Sequence, residues 1–422
     1  MGAKKLKIAV IGSGIAGLGA AYGLIPNHKV TLFEARSRLG GHCRTVMAGR
    51  DQQYAVDTGF MVFNRLNYPK LNGLFDELNI PVKPSNMSFA VSLDDGEFEY
   101  GLHQLSRIFA DKRNFVRPYF YKMLLEIFKF NTHSLKYIDD PNATLGEMLS
   151  DIGLSTVFAE RYLCPLAGAI WSTTIDDMMD FPAQTLVRFF DAHKLNSARN
   201  HPRWFTVDGG SKIYVERTAQ YLKNQDCQIK TNAAVTRVSR QKGKAILHSI
   251  SAEPEVFDHV VFACHSDQAL AILEKPTPQE KHILGAIRFK KNQVFVHDDP
   301  TQMPKRKACW SSWVTKGSTA HTKTNAITYW MNSLQDIPDT TPIFVTLNPQ
   351  TQISDAHIFD QTTLSHPQYD LPALRAREDL PSIQGVHNTW FCGAWTRYGF
   401  HEDGLSSGLQ IAQNLHATKV AP

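Results

Sequence analysis

Three glycines near the start of the chain have the spacing that binds the diphosphate of a dinucleotide. Gly12, Gly14 and Gly17 form a GxGxxG pattern, and Glu34 follows about 20 residues later. In this pattern the first glycine permits a tight turn, the second lets backbone amides approach a diphosphate, and the third allows close helix packing. An acid at position 34 accepts hydrogen bonds from a ribose and repels a 2'-phosphate, so FAD or NAD is favoured over NADP.

The elements that must hold these residues are a strand, a helix and a second strand. Residues 6–11 and 30–33 are apolar runs that predict strands, and the small residues between them predict a helix. The uncharged run 8–25 follows lysines, as a signal peptide or a membrane span would. It contains five glycines, however, and lacks both a cleavage site and the ~20 continuously apolar residues of a span. We therefore expect a βαβ unit of an α/β fold.

A second glycine pair within a cluster of arginines follows Glu34. An NAD enzyme needs no such segment, so its presence favours FAD. The segment, with the turn that follows it, comprises Ala35, Arg36, Arg38, Gly40, Gly41, His42, Arg44, Thr58, Gly59 and Phe60. It resembles the EAxxRxGGR segment of the flavin amine oxidase superfamily, which includes phytoene desaturases and protoporphyrinogen oxidases.

The resemblance implies a noncovalently bound FAD and assigns residues of this region to its site. They are Gly12, Gly14, Ile15, Ala16, Gly17, Glu34, Ala35, Arg36, Gly40, Gly41, His42, Arg44, Thr58, Gly59 and Phe60. His42 stands where the superfamily usually has arginine and Arg44 follows two residues later, so either could face the phosphates or the flavin. For Arg36 a solvated turn is the alternative.

The carboxyl end resembles the closing FAD motif of the same superfamily. A predicted strand, residues 389–392, ends at Gly393, and a predicted helix over 405–415 directs its amino end toward the flavin. The resemblance implies contacts from Gly393, Ala394, Asp403, Gly404 and Leu405. In mid-chain it implies that the backbone of Val235 touches the adenine, the alternative being an ordinary turn and strand.

Oxidation of an unactivated carbon would need an apolar slot beside the flavin. The aromatic candidates to line it are Phe60, Trp171, Trp330, Trp395, Tyr398 and Phe400. If a proton must also move, His401 and Glu402 are the catalytic candidates, because they precede the flavin-facing helix. The alternative is that they cap that helix or pair with Arg397. Asn292 aligns with the lysine that amine oxidases place near flavin N5, which implies a weak reaction with oxygen.

Length predicts two or three domains, since a domain has about 100–200 residues and the chain has 422. We expect an α/β fold in which residues 1–85, 204–266 and 386–422 form a discontinuous Rossmann-like FAD-binding domain of the amine oxidase (GR2) type. Residues 86–203 and 267–385 are expected to form an α+β substrate domain, with helices over a mostly antiparallel sheet.

Charge and cysteine spacing exclude other classes of function. The net charge of +5, from 45 basic and 40 acidic residues, argues against a nucleic-acid platform. The six cysteines lie at least 37 residues apart, so zinc-like pairs are absent and we expect no metal. Without a secretion signal they are expected to be reduced thiols in the cytoplasm.

A basic, apolar stretch lies between residues 101 and 130, with six basic and two acidic residues. Phe120, Met123, Leu124, Ile127 and Phe128 recur at helical spacing. A helix at the inner membrane surface is one interpretation. The favoured one is a helix that turns this apolar stripe to the core of the substrate domain. A third interpretation is that the stripe lines a lipid tunnel.

Further segments narrow the resemblance to a bacterial branch of predicted flavin-containing amine oxidases, which is similar to the amino-terminal region of plant cyclopropane fatty acid synthases. They are 57–60, 64, 68–69, 171–172, 181–182, 329–332, 334–335, 346–349, 366–367 and 399–404. The branch implies an acyl substrate and a fatty acid methyltransferase partner. Three hypotheses follow: a dehydrogenase or desaturase of a fatty acyl chain, free or in phospholipid; an amine oxidase; and a flavoprotein partner of the methyltransferase or a non-redox isomerase.

Overall fold

The structure is a computed structural model that describes residues 5–102, 104–171, 174–195, 202–250, 252–319 and 325–417. Strands and helices are numbered along the chain within these ranges. The strands are β1 (Lys7–Ile11), β2 (Lys29–Phe33), β3 (Thr45–Ala48), β4 (Tyr54–Asp57), β5 (Phe63–Asn64), β6 (Val82–Ser85), β7 (Phe89–Leu93), β8 (Phe98–Gly101), β9 (Trp204–Val207), β10 (Gln228–Lys230), β11 (Val235–Gln241), β12 (Lys244–Ser249), β13 (Ala252–Phe257), β14 (His259–Phe262), β15 (Phe289–His297), β16 (Trp313–Gly317), β17 (Ala326–Trp330), β18 (Phe344–Leu347), β19 (Ile358–Pro367) and β20 (Thr389–Phe391).

The α-helices alternate with these strands in the first part of the chain and cluster between residues 105 and 192. They are α1 (Ile15–Leu24), α2 (Pro69–Glu77), α3 (Leu105–Ile108), α4 (Pro118–His133), α5 (Leu145–Ile152), α6 (Thr156–Phe158), α7 (Cys164–Trp171), α8 (Ile175–Met179), α9 (Ala183–Ala192), α10 (Lys212–Asn224), α11 (Ser266–Ile272), α12 (Pro278–Gly285), α13 (Met331–Gln335), α14 (Leu371–Asp379) and α15 (His401–Ala417).

A parallel sheet carries the amino-terminal glycine motif. Its strands lie in the order β10-β2-β1-β14-β20, and every neighbouring pair is parallel. One apolar core joins residues of α1, α10 and α15, and a second joins residues of β11–β13, α11, α12 and α14. Strands buried on both faces read as continuous apolar runs, which is why the sequence identified β1 and β2. The order confirms a Rossmann-like α/β fold, and all five strands come from the three segments assigned to the FAD-binding domain.

A second, larger sheet comes from the segments assigned to the substrate domain. Its strand order is β19-β15-β18-β17-β16-β7-β8, and only the β16–β7 pair is parallel. Residues of α4 to α9 pack with this sheet in one apolar core. The predicted mostly antiparallel sheet under helices is therefore present. The boundaries of the two domains stay a prediction.

The carboxyl-terminal helix begins four residues before the predicted start at Leu405. The Asp403 carboxylate accepts hydrogen bonds from the backbone amides of Tyr398 (3.2 Å) and Phe400 (3.0 Å), so it satisfies donors just before the first turn. Burial raises the pKa of Asp403 to about 6. His401 consequently lies in the first helical turn of α15 and not in a loop before it.

Helix α4 faces the core with only part of the predicted stripe. Phe120 and Met123 are fully buried, as expected, whereas Phe128 is 67% exposed. The prediction that Phe128 turns inward was wrong, because Phe130 takes the buried position on that turn. Among the described residues, every helix is too short or too polar to cross a bilayer.

Candidate functional site

A cavity of about 1100 Å³ extends from the glycine motif into the substrate segments. It exceeds the range of about 300–1,000 Å³ that is usual for ligand pockets. Its lining joins the ends of β1 and β2 with residues of α7, α9 and β19. One continuous space therefore connects the predicted cofactor residues with the segments assigned to substrate.

The glycine motif leaves room beside the backbone where a diphosphate would approach. Gly12 has φ +102°, which favours glycine, and a Cβ there would lie 2.8 Å from the Ala263 carbonyl oxygen. A Cβ on Gly17 would lie 1.9 Å from the Gly12 carbonyl oxygen, so this glycine lets α1 pack on the turn. A Cβ on Gly14 would meet no atom of the described residues within 4 Å. Gly14 thus borders open space in the cavity.

Glu34 lies at the end of β2 with its carboxylate held in place. Its Oε2 accepts hydrogen bonds from the amide (3.1 Å) and hydroxyl (2.5 Å) of Ser13, and its Oε1 accepts one from the Arg36 amide (2.9 Å). Each carboxylate oxygen can accept more than one hydrogen bond. Since Glu34 lines the cavity, it can still bind ribose hydroxyls there.

Arg38 organises the second glycine pair through carbonyl groups. Its guanidinium donates to the carbonyl oxygens of Gly41 (2.9 Å) and Cys43 (3.1 Å). Burial lowers the pKa of Arg38, and the charges of Arg36 and Arg44 lower it further. Arg38 and Arg36 both line the cavity and provide positive charge at the same end as Glu34.

His42 and Arg44 have different environments. His42 lines the cavity, and its Nε2–H donates to the Ser365 carbonyl oxygen (3.0 Å). Arg44 instead forms two 2.7 Å hydrogen bonds to the Asp360 carboxylate and is absent from the described lining. Of these two candidates, only His42 is placed to contact a ligand.

Two further histidines lie beside His42. Their ring centroids are 5.4 Å (His265) and 6.0 Å (His366) from that of His42, and both line the cavity. Burial, reinforced by neighbouring imidazoles, lowers the pKa of each to about 3, so both are neutral near pH 7. A neutral imidazole carries one N–H donor, which suits an anionic ligand. The sequence analysis did not predict that His265 and His366 line the cavity, although residues 366–367 were part of the resemblance.

His401 is fixed at the other side of the glycine pair. Its ring stacks on Phe60 at 3.8 Å, and its Nε2 lies 2.7 Å from the Tyr214 hydroxyl and 2.9 Å from the Cys43 sulfur. If Cys43 donates to Tyr214 and Tyr214 to Nε2, each of these polar atoms is satisfied and the ring proton is on Nδ1. Burial lowers the pKa of His401 to about 3. His401 is therefore a neutral, oriented imidazole in the cavity lining.

Glu402 points away from the cavity. Its carboxylate accepts hydrogen bonds from the backbone amides of Lys70 and Leu71, both at 2.9 Å, at the amino end of α2. A carboxylate there satisfies unpaired helix donors and opposes the positive end of the dipole. The structure thus gives Glu402 the capping role that was the alternative to catalysis, although the helix it caps is α2 and not its own.

Replacing Glu402 by alanine is expected to lower the free energy of unfolding by about 1–2 kcal/mol, because two amides at the start of α2 lose their acceptor. Urea unfolding measures this loss, while visible flavin absorbance should stay unchanged. Glu402→Gln keeps one acceptor oxygen and should lose less. A variant of normal stability that no longer turned over substrate would contradict the capping role.

The remaining candidates divide by whether they line the cavity. Those that do are Gly12, Gly14, Ile15, Ala16, Ala35, Gly40, Gly41, Gly59, Phe60, Val235, Gly393, Ala394, Trp171, Trp395, Tyr398 and Phe400. Those absent from the described lining are Gly17, Thr58, Asp403, Gly404, Leu405 and Trp330.

Packing explains why several of these residues lie outside the cavity. A Cβ on Gly404 would lie 2.7 Å from Ile15, so Gly404 serves the contact between α15 and α1. Thr58 donates its hydroxyl to the Arg44 carbonyl oxygen (3.1 Å). The expectation that Trp330 lines the slot was wrong, because it packs edge-on against Trp310 at 5.5 Å. These residues pack outside the cavity and contact other residues of the protein.

The half of the cavity beyond the glycine motifs is lined mainly by apolar side chains. They include Met61, Val62, Met87, Phe89, Leu166, Ile170, Phe189, Leu195 and Leu364. They come from segments that are far apart in the chain, so no local sequence pattern could predict that they line one cavity. No lysine is among the described residues that line the cavity, and Asn292 is buried away from it, where it accepts from Asn348 (2.8 Å).

The donor set fits FAD. The glycine-bordered open space, the carboxylate of Glu34 and the N–H donors of Arg36, Arg38 and His265 all line the cavity. Gly59, Gly393 and Ala394 also border the cavity. An elongated dinucleotide with a flavin at one end can occupy this path.

Comparison with known proteins agrees with this geometry. Residues 15–294, well over half of the chain, match the model of the flavin containing amine oxidoreductase family. The chain is 38% identical over 102 residues to 15-cis-phytoene desaturase of Arabidopsis thaliana. That match covers 23% of this chain and spans only 17% of the desaturase.

Solved structures share the fold at low sequence identity. The CLA-producing fatty acid isomerase from P. acnes superimposes with a TM-score of 0.70 at 16% identity, covering 97% of this chain and 98% of that one. Putrescine oxidase bound to putrescine superimposes with a TM-score of 0.70 at 14% identity, and the match covers 98% of this chain and 99% of that one. Cyclohexylamine oxidase from Brevibacterium oxydans superimposes with a TM-score of 0.69 at 14% identity, and the match covers 98% of this chain and 100% of that one.

Proposed function

Because this chain belongs to the family of flavin containing amine oxidoreductases, and is therefore an FAD-dependent oxidoreductase, we propose that its substrate is a fatty acyl chain, which it dehydrogenates or desaturates. The observation that carries this proposal is the charge of the cavity lining. Glu34, at the nucleotide end, is the only aspartate or glutamate among the described residues that line it. An amine substrate, cationic near pH 7, would find no carboxylate partner in the apolar half.

The apolar half suits a hydrocarbon chain. Burying methylene groups against side chains such as Leu166, Ile170 and Phe189 is favourable by about 0.8 kcal/mol for each CH₂. Arg203 also lines the cavity and is exposed, and beyond Arg36 and Arg38 it is the only lysine or arginine in the described lining. A guanidinium in this position can pair with the carboxylate of a free fatty acid.

The chain's own residues supply orientation and exclusion of water. Bound FAD provides a hydride acceptor. The apolar lining keeps water away from the reacting carbon, which protects a hydride transfer from side reactions. Neutral His401, held by Phe60 and Tyr214, can accept at Nδ1 a proton that leaves the substrate only in its other tautomer, in which Nε2–H donates to the Tyr214 oxygen and the Tyr214 hydroxyl donates to Cys43. Glu402 has no part in this step, since its carboxylate caps α2.

Anaerobic titration of the purified holoenzyme tests the proposal. Unsaturated and saturated fatty acids and their phospholipids are added separately, and loss of visible flavin absorbance is followed. We expect reduction by acyl substrates and none by putrescine or cyclohexylamine. Reduction by amines alone would overturn the proposal.

A variant of the lining sharpens this test. Ile170→Glu places a charge in the apolar half and should slow flavin reduction at least about tenfold, because burying an unpaired charge costs several kcal/mol. Ile170→Gln is the matched neutral control and should slow it less. Equal rates in both variants would contradict an apolar substrate path.

A second candidate is an isomerase that acts on the same acyl chain. The described lining lacks lysine, and the fold is shared with a fatty acid isomerase, which supports this alternative. The titration separates the two. An isomerised lipid recovered with the flavin still oxidised supports the isomerase, whereas stoichiometric reduction supports the dehydrogenase.

A further inference from the structure

The exposed apolar side chains of this protein are concentrated on one short segment. Among the described residues, twelve large apolar side chains are exposed, and seven of them lie between residues 105 and 135. The seven are Leu105, Phe115, Val116, Tyr121, Leu125, Phe128 and Leu135. Scattered exposed apolar residues are normal, but a contiguous set marks a binding surface.

Helix α4 carries the centre of this set on its outer face. Tyr121, Leu125 and Phe128 follow the i, i+4, i+7 spacing of one helical stripe. Leu125 is 70% exposed and Phe128 67%, whereas Phe120 and Met123, on the inner face, are fully buried. Helix α4 thus has an apolar face that anchors it in the protein and a second one that the described residues leave uncovered.

The turn before α4 extends the outer stripe. The Phe115 ring stacks on Phe109 with centroids 4.4 Å apart, and the Tyr121 hydroxyl donates to the Phe115 carbonyl oxygen at 3.0 Å. These contacts fix Phe115 and the adjoining Val116, which is 81% exposed, beside the first turn of α4. We call Phe115, Val116, Tyr121, Leu125 and Phe128 the outer ridge.

Within the segment that carries the outer ridge the exposed charges have one sign, although the exposed Glu97, between β7 and β8, pairs with Arg113 (2.7 Å). All residues from 104 to 136 are described, and every exposed Lys, Arg, Asp or Glu among them is a lysine, at positions 112, 122, 129 and 136. Lys129 donates to the Gly153 carbonyl oxygen, and Lys136 pairs with Asp151. Lys112 and Lys122 flank the ridge most freely, although Lys122 lies 4.0 Å from Glu126.

The two acids of this segment are turned inward. The Asp111 carboxylate pairs with Arg113 (3.0 Å) and Arg117 (3.3 Å). Glu126 is buried and accepts hydrogen bonds from the amide and hydroxyl of Ser155. The surface presented to a partner is therefore apolar along its centre and basic at its sides.

We propose that the outer ridge docks on a lipid bilayer that contains anionic phospholipids. Aromatic and leucine side chains on an amphipathic helix insert at the boundary between headgroups and acyl chains, and lysines beside them bind anionic headgroups. Lysine is depleted in protein interfaces, and a symmetric contact between two copies would bring lysines against lysines. The charge pattern thus favours a lipid surface over a protein partner.

Vesicle sedimentation of the full-length holoenzyme tests the proposal. Binding is measured to phosphatidylcholine vesicles with and without phosphatidylglycerol, at low and high salt. We expect binding that requires the anionic lipid and weakens with salt. Leu125→Glu/Phe128→Glu should reduce the partition coefficient at least about tenfold. Lys112→Glu/Lys122→Glu should remove the preference for anionic vesicles.

The chain offers a matched control at another exposed apolar pair. Ile250 and Val256 are 66% and 49% exposed and lie outside the ridge, so Ile250→Glu/Val256→Glu makes the same charge change there. It should bind vesicles like the unaltered protein, and all variants should keep their flavin absorbance. Equal loss in the control, equal binding to neutral vesicles, or a dimer that only the ridge variant dissociates would overturn the proposal.

The inference does not depend on the acyl substrate. Vesicle binding is measured without turnover, and the flavin titration with free fatty acids needs no bilayer. Failure of one therefore leaves the other standing. If both hold, the ridge binds the enzyme to the kind of surface that contains its substrate.

Discussion

Replacing Gly14 by alanine is expected to produce a folded protein that binds FAD more weakly. A Cβ at this position would contact no described atom within 4 Å, and its φ of −63° suits any residue, so the fold should tolerate the change. The added methyl group instead occupies space that the glycine motif leaves for the diphosphate. Overpacking of this kind costs about 1–3 kcal/mol, which corresponds to roughly 5- to 150-fold weaker binding.

Two other glycines provide the comparison. Gly17→Ala puts a Cβ 1.9 Å from the Gly12 carbonyl oxygen, so it should destabilise the protein itself and lower the melting temperature. Gly73 lies on the exposed side of α2, where a Cβ would meet no described atom within 4 Å. Gly73→Ala should therefore stabilise the protein by about 0.5–1 kcal/mol. FAD affinity is measured by reconstitution of the apoprotein, followed by flavin fluorescence. If Gly14→Ala bound FAD with normal affinity, the diphosphate could not lie against this turn.

Acidification of the FAD-free protein from pH 6 to pH 4.5 is expected to lower its free energy of unfolding by about 6 kcal/mol. Burial lowers the pKa of five histidines to about 3 (His265, His366, His401) or about 4 (His193, His297). Below their unfolded pKa of about 6.5, these imidazoles take up protons on unfolding but not in the native state. The native protein therefore loses stability as the pH falls from about 6.5.

Two buried carboxyls act in the opposite direction. Burial raises the pKa of Asp57 and Asp403 to about 6, so between pH 6 and about 4 they are protonated in the native state and ionised when unfolded. On unfolding, the five histidines take up five protons and the two aspartates release two, so the net uptake is about three protons. The free energy of unfolding then falls by about 4 kcal/mol per pH unit. A total stability of about 5–15 kcal/mol would be exhausted within a few pH units.

His297 tests this account away from the cavity. Its ring accepts from the Asp299 amide (3.1 Å) and contacts the Thr346 hydroxyl (2.7 Å) in the substrate segments. His297→Gln should lower stability at pH 7 but reduce the slope by about 1.4 kcal/mol per pH unit, because one titrating group is removed. Urea midpoints across pH measure both values. A slope that does not change would contradict the assignment.

The cofactor end of the site was largely predictable from sequence because it depends on local spacing. GxGxxG, the acid after the second strand and the second glycine pair all act within about 35 residues of chain, and backbone geometry alone requires them. The strands around Gly12 and Glu34 were predicted within a residue of their bounds. The start of α15 was missed because the Asp403 carboxylate reaches back to Phe400, a contact that propensity does not reveal.

The substrate end was much less predictable. Its apolar lining comes from residues such as Met61, Leu166 and Leu364, which look like ordinary core residues in sequence. Trp330 was expected there but packs on Trp310 instead. Whether an apolar side chain faces a cavity or a neighbouring ring depends on how sheets and helices pack, and hydrophobic pattern specifies only that it is buried.

The sequence by itself determined the cofactor class, the Rossmann-like unit and the superfamily, because short motifs encode the backbone geometry that a dinucleotide needs. Only the tertiary structure decided that His42 rather than Arg44 faces the cavity, that Glu402 caps α2, and that His265 and His366 join the site. The partners of these side chains lie up to some 330 residues away in the chain. Such contacts exist only after the two sheets have packed together, so no local pattern can specify them.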